Sequence, residues 1–218
     1  MVTLGLLASY LAVFLYEVAL GLQSPTALHR LVAEHAVVPA RFVAGWREGE
    51  AWLPLLTAMF LHGGLAHVAG NAWFLWVFGR SVENRVGSSS YGFFYLFAGA
   101  AASLLQIAVE PESRVPMLGA SGAISGVLGA YFLLLPRAWV LTLVPWIVPV
   151  LPVPAAVFLG LWFALQMGNG IGSIVDGAGG AGGGIAWWAH AGGFLAGLGL
   201  AAAWPKAVRR PRRRTRAR

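Results

Sequence analysis

Six apolar runs divide the chain, at 2–21, 65–81, 91–109, 122–135, 153–167 and 186–204. At about 1.5 Å per helical residue, most of them are long enough to cross a hydrocarbon core of ~30 Å, and each is predicted to be a helix. The stretch 22–64 mixes Pro, His and charged residues into short apolar pieces, a pattern that predicts short helices partly embedded at an interface. The fourth run is short. From Ser121 to Leu135 a helix reaches roughly 22 Å, so a helix ending at one surface starts several ångströms below the other. Residues 115–120 must then descend as irregular backbone, which a bilayer tolerates only inside protein or beside a water-filled cavity. The segment 168–184 closes on a glycine-rich stretch at 177–184 and is expected to be a mobile linker. The first run lacks a basic n-region and an A-x-A site, so it reads as a retained helix. One domain over 1–205 and a basic tail over 206–218 are expected.

Composition supports this reading. Hydrophobic residues make up 58% and charged residues 11%, with mean hydropathy +0.72, against ~45–50% and ~25% in soluble domains. The expected class is an all-α integral membrane protein. With the N-terminus inside, 11 of the 15 Lys and Arg residues fall on the cytoplasmic side, and Arg30, Arg41, Arg47 and Arg114 fall outside. The positive-inside rule selects that topology, with both termini cytoplasmic and a prokaryotic plasma membrane as the expected setting. The arginine-rich tail at 209–218 follows a membrane helix directly, so anionic lipid headgroups, and not nucleic acid, are its expected contact. The chain has no cysteine, hence no disulfide and no thiolate nucleophile. Its five histidines form no HExxH. Its one aspartate, Asp176, cannot form a two-carboxyl dyad. No metal or cofactor is implied.

In this topology the second, fourth and sixth runs all enter from the outer face. Their first turns bring His67 with Asn71, Ser121, and His190 to one depth. A hydroxyl and an imidazole at one depth read as a nucleophile and its base. His67 and Asn71, at i and i+4, share a helix face from which an imidazole N–H and an amide N–H can meet a developing oxyanion. Each motif also has a packing explanation. Gly119, Gly122, Gly126 and Ala130 suit close helix approach, and His190 could pack against Gly192, Gly193 and Gly197. A channel or transporter would instead spread polar residues along whole helices.

Several segments carry a family resemblance: Phe-Leu-His-Gly-Gly-Leu-Ala-His-Val-Ala-Gly-Asn at 60–71, Gly-Ala-Ser-Gly at 119–122 and Ala-His-Ala-Gly-Gly at 189–193. Together with Gly-Arg-Ser-Val-Glu-Asn-Arg-Val-Gly at 79–87, they resemble rhomboid intramembrane serine proteases, in order and over nearly the whole chain. The resemblance implies a six-transmembrane-helix bundle with a Ser–His dyad that lacks an aspartate. On it, Ser121 is the nucleophile, His190 the general base, and His67 and Asn71 the oxyanion donors. Gly119 admits the backbone, and the substrates are single-span membrane proteins whose helix can unwind near small residues. A catalytically silent scaffold is the competing possibility within the family. Two departures stand out. The Trp-Arg pair of the first loop has no clean counterpart at Trp52-Leu53, although Trp46-Arg47 lies nearby. The aromatic residue one turn after the serine is replaced by Ser125, leaving Trp187 and Trp188 as candidate packing for the histidine. Phe158, Trp162 and Phe163 on the fifth run are expected to form an aromatic gate against the second.

Overall fold

Proline and serine set the first boundaries. Helix α1 (Val2–Gln23) stops at Ser24, whose extended backbone and side chain cap the next helix by accepting from the Ala27 N–H at 3.2 Å. Pro25, Pro39 and Pro54 each occupy the first turn of a short helix, where a missing N–H costs nothing: α2 (Pro25–His35), α3 (Pro39–Gly45) and α4 (Pro54–Thr57). Two 3₁₀ turns, Glu50–Trp52 and Ala58–Phe60, complete this region. It is helical in short pieces, as the mixed pattern of 22–64 predicts.

The computed structural model describes residues 1–144, 148–175 and 185–204. The expected mobile stretch at 177–184 and the basic tail at 206–218 lie outside the described residues. Helix α5 (Leu65–Phe74) continues through a π-turn at Leu75–Gly79 into α6 (Arg80–Val86). Then come α7 (Ser88–Val109), α8 (Ser121–Leu134), α9 (Ala155–Val175) and α10 (Trp187–Ala203). Every predicted run is therefore helical over most of its length. Val2–Gln23, Ser88–Val109 and Ala155–Ile174 are long and apolar enough to cross a membrane. Their lipid-compatible surface is large, with Leu11, Leu15, Phe93, Phe97, Leu161 and Leu165 all exposed.

Two features depart from the sequence pattern. Strands β1 (Trp139–Val144) and β2 (Val148–Pro154) pair antiparallel, with Trp139 opposite Pro154 and Thr142 opposite Leu151. The expected fifth helix at 153–167 thus starts later, at Ala155. It also runs eight residues beyond Met167, so 168–175 is helix and not linker. Glycines cost ~1 kcal/mol each inside a helix, but Gly170 gives room to the Trp188 ring, which a Cβ would meet at 3.1 Å.

Helix α8 runs through the middle of the bundle, with every residue from Ala123 to Tyr131 buried. Its glycines meet those of α10 backbone to backbone. A Cβ on Gly129 would overlap the Phe194 carbonyl, one on Gly193 the Gly122 carbonyl, and one on Gly197 the Gly126 carbonyl. The small-residue packing allowed by the sequence is therefore present. At the far end, the buried Glu83 carboxylate accepts from the Val2 and Thr3 N–H groups at 2.7 and 3.0 Å. It also accepts from the Thr3 and Ser88 hydroxyls, both at 2.6 Å. One side chain thus fastens the N-terminal ends of α1 and α7, and explains the 79–87 motif. Gly79 lets Thr3 and Tyr91 come close, and Gly87 turns the chain at φ +87°.

Candidate active site

Residues 113–120 form no helix or strand of their own, so their backbone groups need partners elsewhere. The 25–60 region supplies them. Met117 exchanges both backbone hydrogen bonds with Val37, at 2.7 and 3.0 Å, Ala40 donates to the Ser113 carbonyl at 3.0 Å, and Gly119 donates to the Ala58 carbonyl at 2.8 Å. This is the irregular backbone that the short fourth run requires. It ends at Gly119, φ +112°, a region that favours glycine. Ser121 then opens α8.

His190 stands in the first turn of α10, and its Nε2 lies 2.8 Å from Ser121 Oγ. The two residues are 69 positions apart in sequence. The glycine seam between α8 and α10 brings their helices to backbone contact, and both side chains sit at the same end of it. The other ring nitrogen, Nδ1, is 2.8 Å from Gln166 Oε1, on α9. An amide oxygen only accepts, so Nδ1 carries the proton and Nε2 is free to accept the Ser121 hydroxyl proton.

His67 and Asn71 lie on the other side of Gly119. A Cβ there would fall 2.5 Å from His67 Nε2 and 3.5 Å from Asn71 Nδ2. The Gly63 N–H donates to His67 Nδ1 at 3.4 Å, which leaves Nε2 as the protonated nitrogen of the neutral ring. Asn71 is 7% exposed, and its buried Nδ2 has no partner among the described residues. Two N–H donors therefore face the backbone just before the serine. Behind them His62 lies outside the helix, its N–H held by Glu17 at 3.1 and 3.2 Å and its Nδ1 donating to the Phe60 carbonyl at 3.0 Å. Burial pushes the His62 imidazole down to about 4, with the neighbouring His67 adding to the effect, so it is neutral at pH 7. Its ring stacks edge to face on His67 at 5.4 Å.

The support of His190 differs from expectation. Ser125 turns back to donate to the Ser121 carbonyl at 2.6 Å and offers no ring. Trp187 approaches His190 edge-on at 6.3 Å, while Trp188 faces Gly170. The nearer aromatic is Trp162, with ring centroids 6.0 Å apart, and Phe163 stacks on Phe194 of α10 at 4.7 Å. Of the three expected gate aromatics, Phe158 is the one stacked on the second run, over Phe78 at 6.3 Å. Trp162 and Phe163 turn toward α10 instead. In the first loop, Arg47 lies over the Trp46 ring and the Trp52 indole donates to the Trp46 carbonyl at 2.8 Å. Gln166 escapes the sequence reading. The available signal is an amide between Leu165 and Met167 in the otherwise apolar run 153–167, one turn after Trp162.

Residues 48–206 match the Rhomboid domain, and the chain belongs to the rhomboid family of integral membrane proteins. It is 45% identical over 83 residues to "Rhomboid protease GluP" of Bacillus subtilis, a match covering 38% of this chain and 16% of that protein. "Rhomboid protein 1, mitochondrial" of Saccharomyces cerevisiae is 31% identical over 171 residues, covering 74% of this chain and 44% of that protein. "Rhomboid-like protein 11, chloroplastic" of Arabidopsis thaliana is 37% identical over 89 residues, covering 41% and 31%. The chain thus spans less than half the length of each of these relatives.

Proposed function

We propose that this chain is an intramembrane serine endopeptidase that cleaves peptide bonds in or beside transmembrane segments of membrane-protein substrates. The observation that carries the reading is the 2.8 Å contact between His190 Nε2 and Ser121 Oγ at the half-buried start of α8. His190 Nε2 takes the hydroxyl proton as Oγ attacks the scissile carbonyl carbon. The negative charge that develops on the carbonyl oxygen is met by His67 Nε2–H, Asn71 Nδ2–H and the N-terminal end of α8. His190 then returns the proton to the leaving amine, and an ester to Ser121 remains. Water, activated by the same imidazole, hydrolyses that ester and restores the hydroxyl. The carboxylate of the usual serine triad has no counterpart in this scheme.

The setting belongs to the same proposal. Six helices cross the bilayer, with both termini cytoplasmic in a prokaryotic plasma membrane. Residues 1–205 form the protease domain, and the basic tail 206–218 rests on lipid headgroups. Substrates unwind near small residues so that their carbonyl leaves its helical hydrogen bonds. Lateral entry past α9 suits its exposed outer face. A channel is disfavoured because below Ser125 the buried residues of α8 are Gly, Ala, Val, Leu and Tyr, which supply no continuous polar path.

A fluorophosphonate probe tests the assignment on purified protein. It should label Ser121 in the natural sequence and leave Ser121→Ala and His190→Ala unlabelled. The same two variants should lose cleavage of a transmembrane reporter nearly completely, because removing one member of such a unit costs about as much as removing both. Wild-type turnover by either folded variant would end the dyad reading.

A further inference from the structure

Gln166 is 8% exposed and lies on the fifth predicted run, one helical turn after Trp162. Residues four apart share a helix face, and from that face the Gln166 amide and the Trp162 ring both reach His190. We propose that Gln166 is the positioning residue of the base. Its carbonyl holds His190 as the Nδ1–H tautomer, ring plane fixed, and by doing so links the competence of the base to the seating of α9. The inference rests on the dyad reading above and adds a third member to it.

A neutral amide suits this place. A buried carboxylate here would depend on the His190 Nδ1–H alone to offset its desolvation, and the one aspartate of the chain, Asp176, falls outside the described residues. Gln166 supplies the same directional acceptor without a net charge. Its placement also separates two kinds of support. Ser121 and His190 are brought together by α8 and α10, whose glycines meet backbone to backbone. The acceptor for Nδ1–H comes from α9, which shows most of its surface to the exterior. Displacing α9 leaves the nucleophile beside the imidazole but takes away what orients it. An enzyme with α9 displaced by an entering helix therefore works with an unoriented base until α9 returns, so an unseated substrate is cut more slowly.

The test uses the full chain, purified, with a transmembrane reporter and the fluorophosphonate probe. Gln166→Leu keeps bulk but cannot accept. It should lower kcat by about 10–100-fold, the range found when a metal-bound histidine loses the partner that orients it, with KM nearly unchanged. Gln166→Glu, which still accepts from Nδ1–H, should recover most of that loss. Nitrogen-15 spectra of labelled histidine should show His190 as Nδ1–H in the natural sequence and as a tautomer mixture in Gln166→Leu. A packing role would leave the tautomer untouched and make Leu at least as good as Glu. The proposal is overturned by wild-type kcat in Gln166→Leu, by a folded but unrecovered Gln166→Glu, or by an Nε2–H tautomer in the natural protein. The last measurement decides the matter even if neither variant folds. Failure of the dyad reading looks different: Ser121 in the natural sequence would resist the probe.

Discussion

Asn71 shows how a single side chain can be read for chemistry. Its amide is buried, and Nδ2 has no partner among the described residues. A donor left in that condition costs ~1–3 kcal/mol, a cost that is recovered when an oxyanion arrives. Asn71→Ala should accordingly slow acylation by ~10–10³-fold while leaving the fold intact. Single-turnover acylation measured beside thermal unfolding checks this, and full turnover would return Asn71 to a packing role. Ser121, His190, His67 and Asn71 were legible in the sequence because polar side chains are rare on these helices and all four lie near an entrance. Gln166 was not. Its partner is 24 residues away, and only the rotation of α9 about its own axis tells whether the amide faces the imidazole or lipid.

At the scale of elements, the seam of α8 and α10 makes a sharp demand on volume. Gly197 touches backbone of α8, whereas Gly199, two residues on, has open space where a Cβ would stand. Gly197→Ala should therefore destabilise the bundle by about 1–3 kcal/mol, the usual cost of overpacking, and reduce probe labelling of Ser121 with it. Gly199→Ala should be neutral or stabilising, since Ala exceeds Gly by ~1 kcal/mol in helix propensity. Denaturation of the two variants side by side in one detergent decides this. If they behave alike, the seam does not hold the bundle. Helices were legible as runs of apolar residues, but the hairpin was not. The segment 139–154 is apolar and rich in proline, without the alternation that marks a strand with one wet face. The end of α9 was obscured for another reason. Counting glycines ignores what fills the space they leave, and at Gly170 that is Trp188.

For the whole molecule, Glu83 links titration to assembly. Burial alone pushes its carboxyl up, but hydrogen bonds from Ser88, Thr3 and the Val2 N–H outweigh that and hold it down at about 2, against an ordinary 4.5. A depressed carboxyl contributes stability that is fully present above the unfolded value and is lost as pH falls toward the folded one. Thermal stability should decline between pH 4.5 and 2, and Glu83→Gln should be less stable at pH 7 with a flatter decline. Melting curves across that range in a fixed detergent test this. Equal slopes in both proteins would remove Glu83 from the account.

The burial of α8 bears on where such a protein can work. Bilayers differ in thickness by several ångströms from one membrane to another, and proteins respond by tilting or by deforming the surrounding lipid. In this molecule that adjustment falls on α1, α7 and α9, whose flanks are exposed and whose lengths of 21 or 22 residues suit a full crossing. Ten of the 14 residues of α8 are buried in protein, with Leu133 near its end exposed, so the helix has little lipid length to match. A thicker or thinner membrane can tilt the outer helices while the spacing of serine and histidine, set by main-chain contact with α10, stays the same. The spacing of the reacting pair is thus insulated from the bilayer around it, whereas the orientation of the base, held by Gln166 of α9, follows that helix.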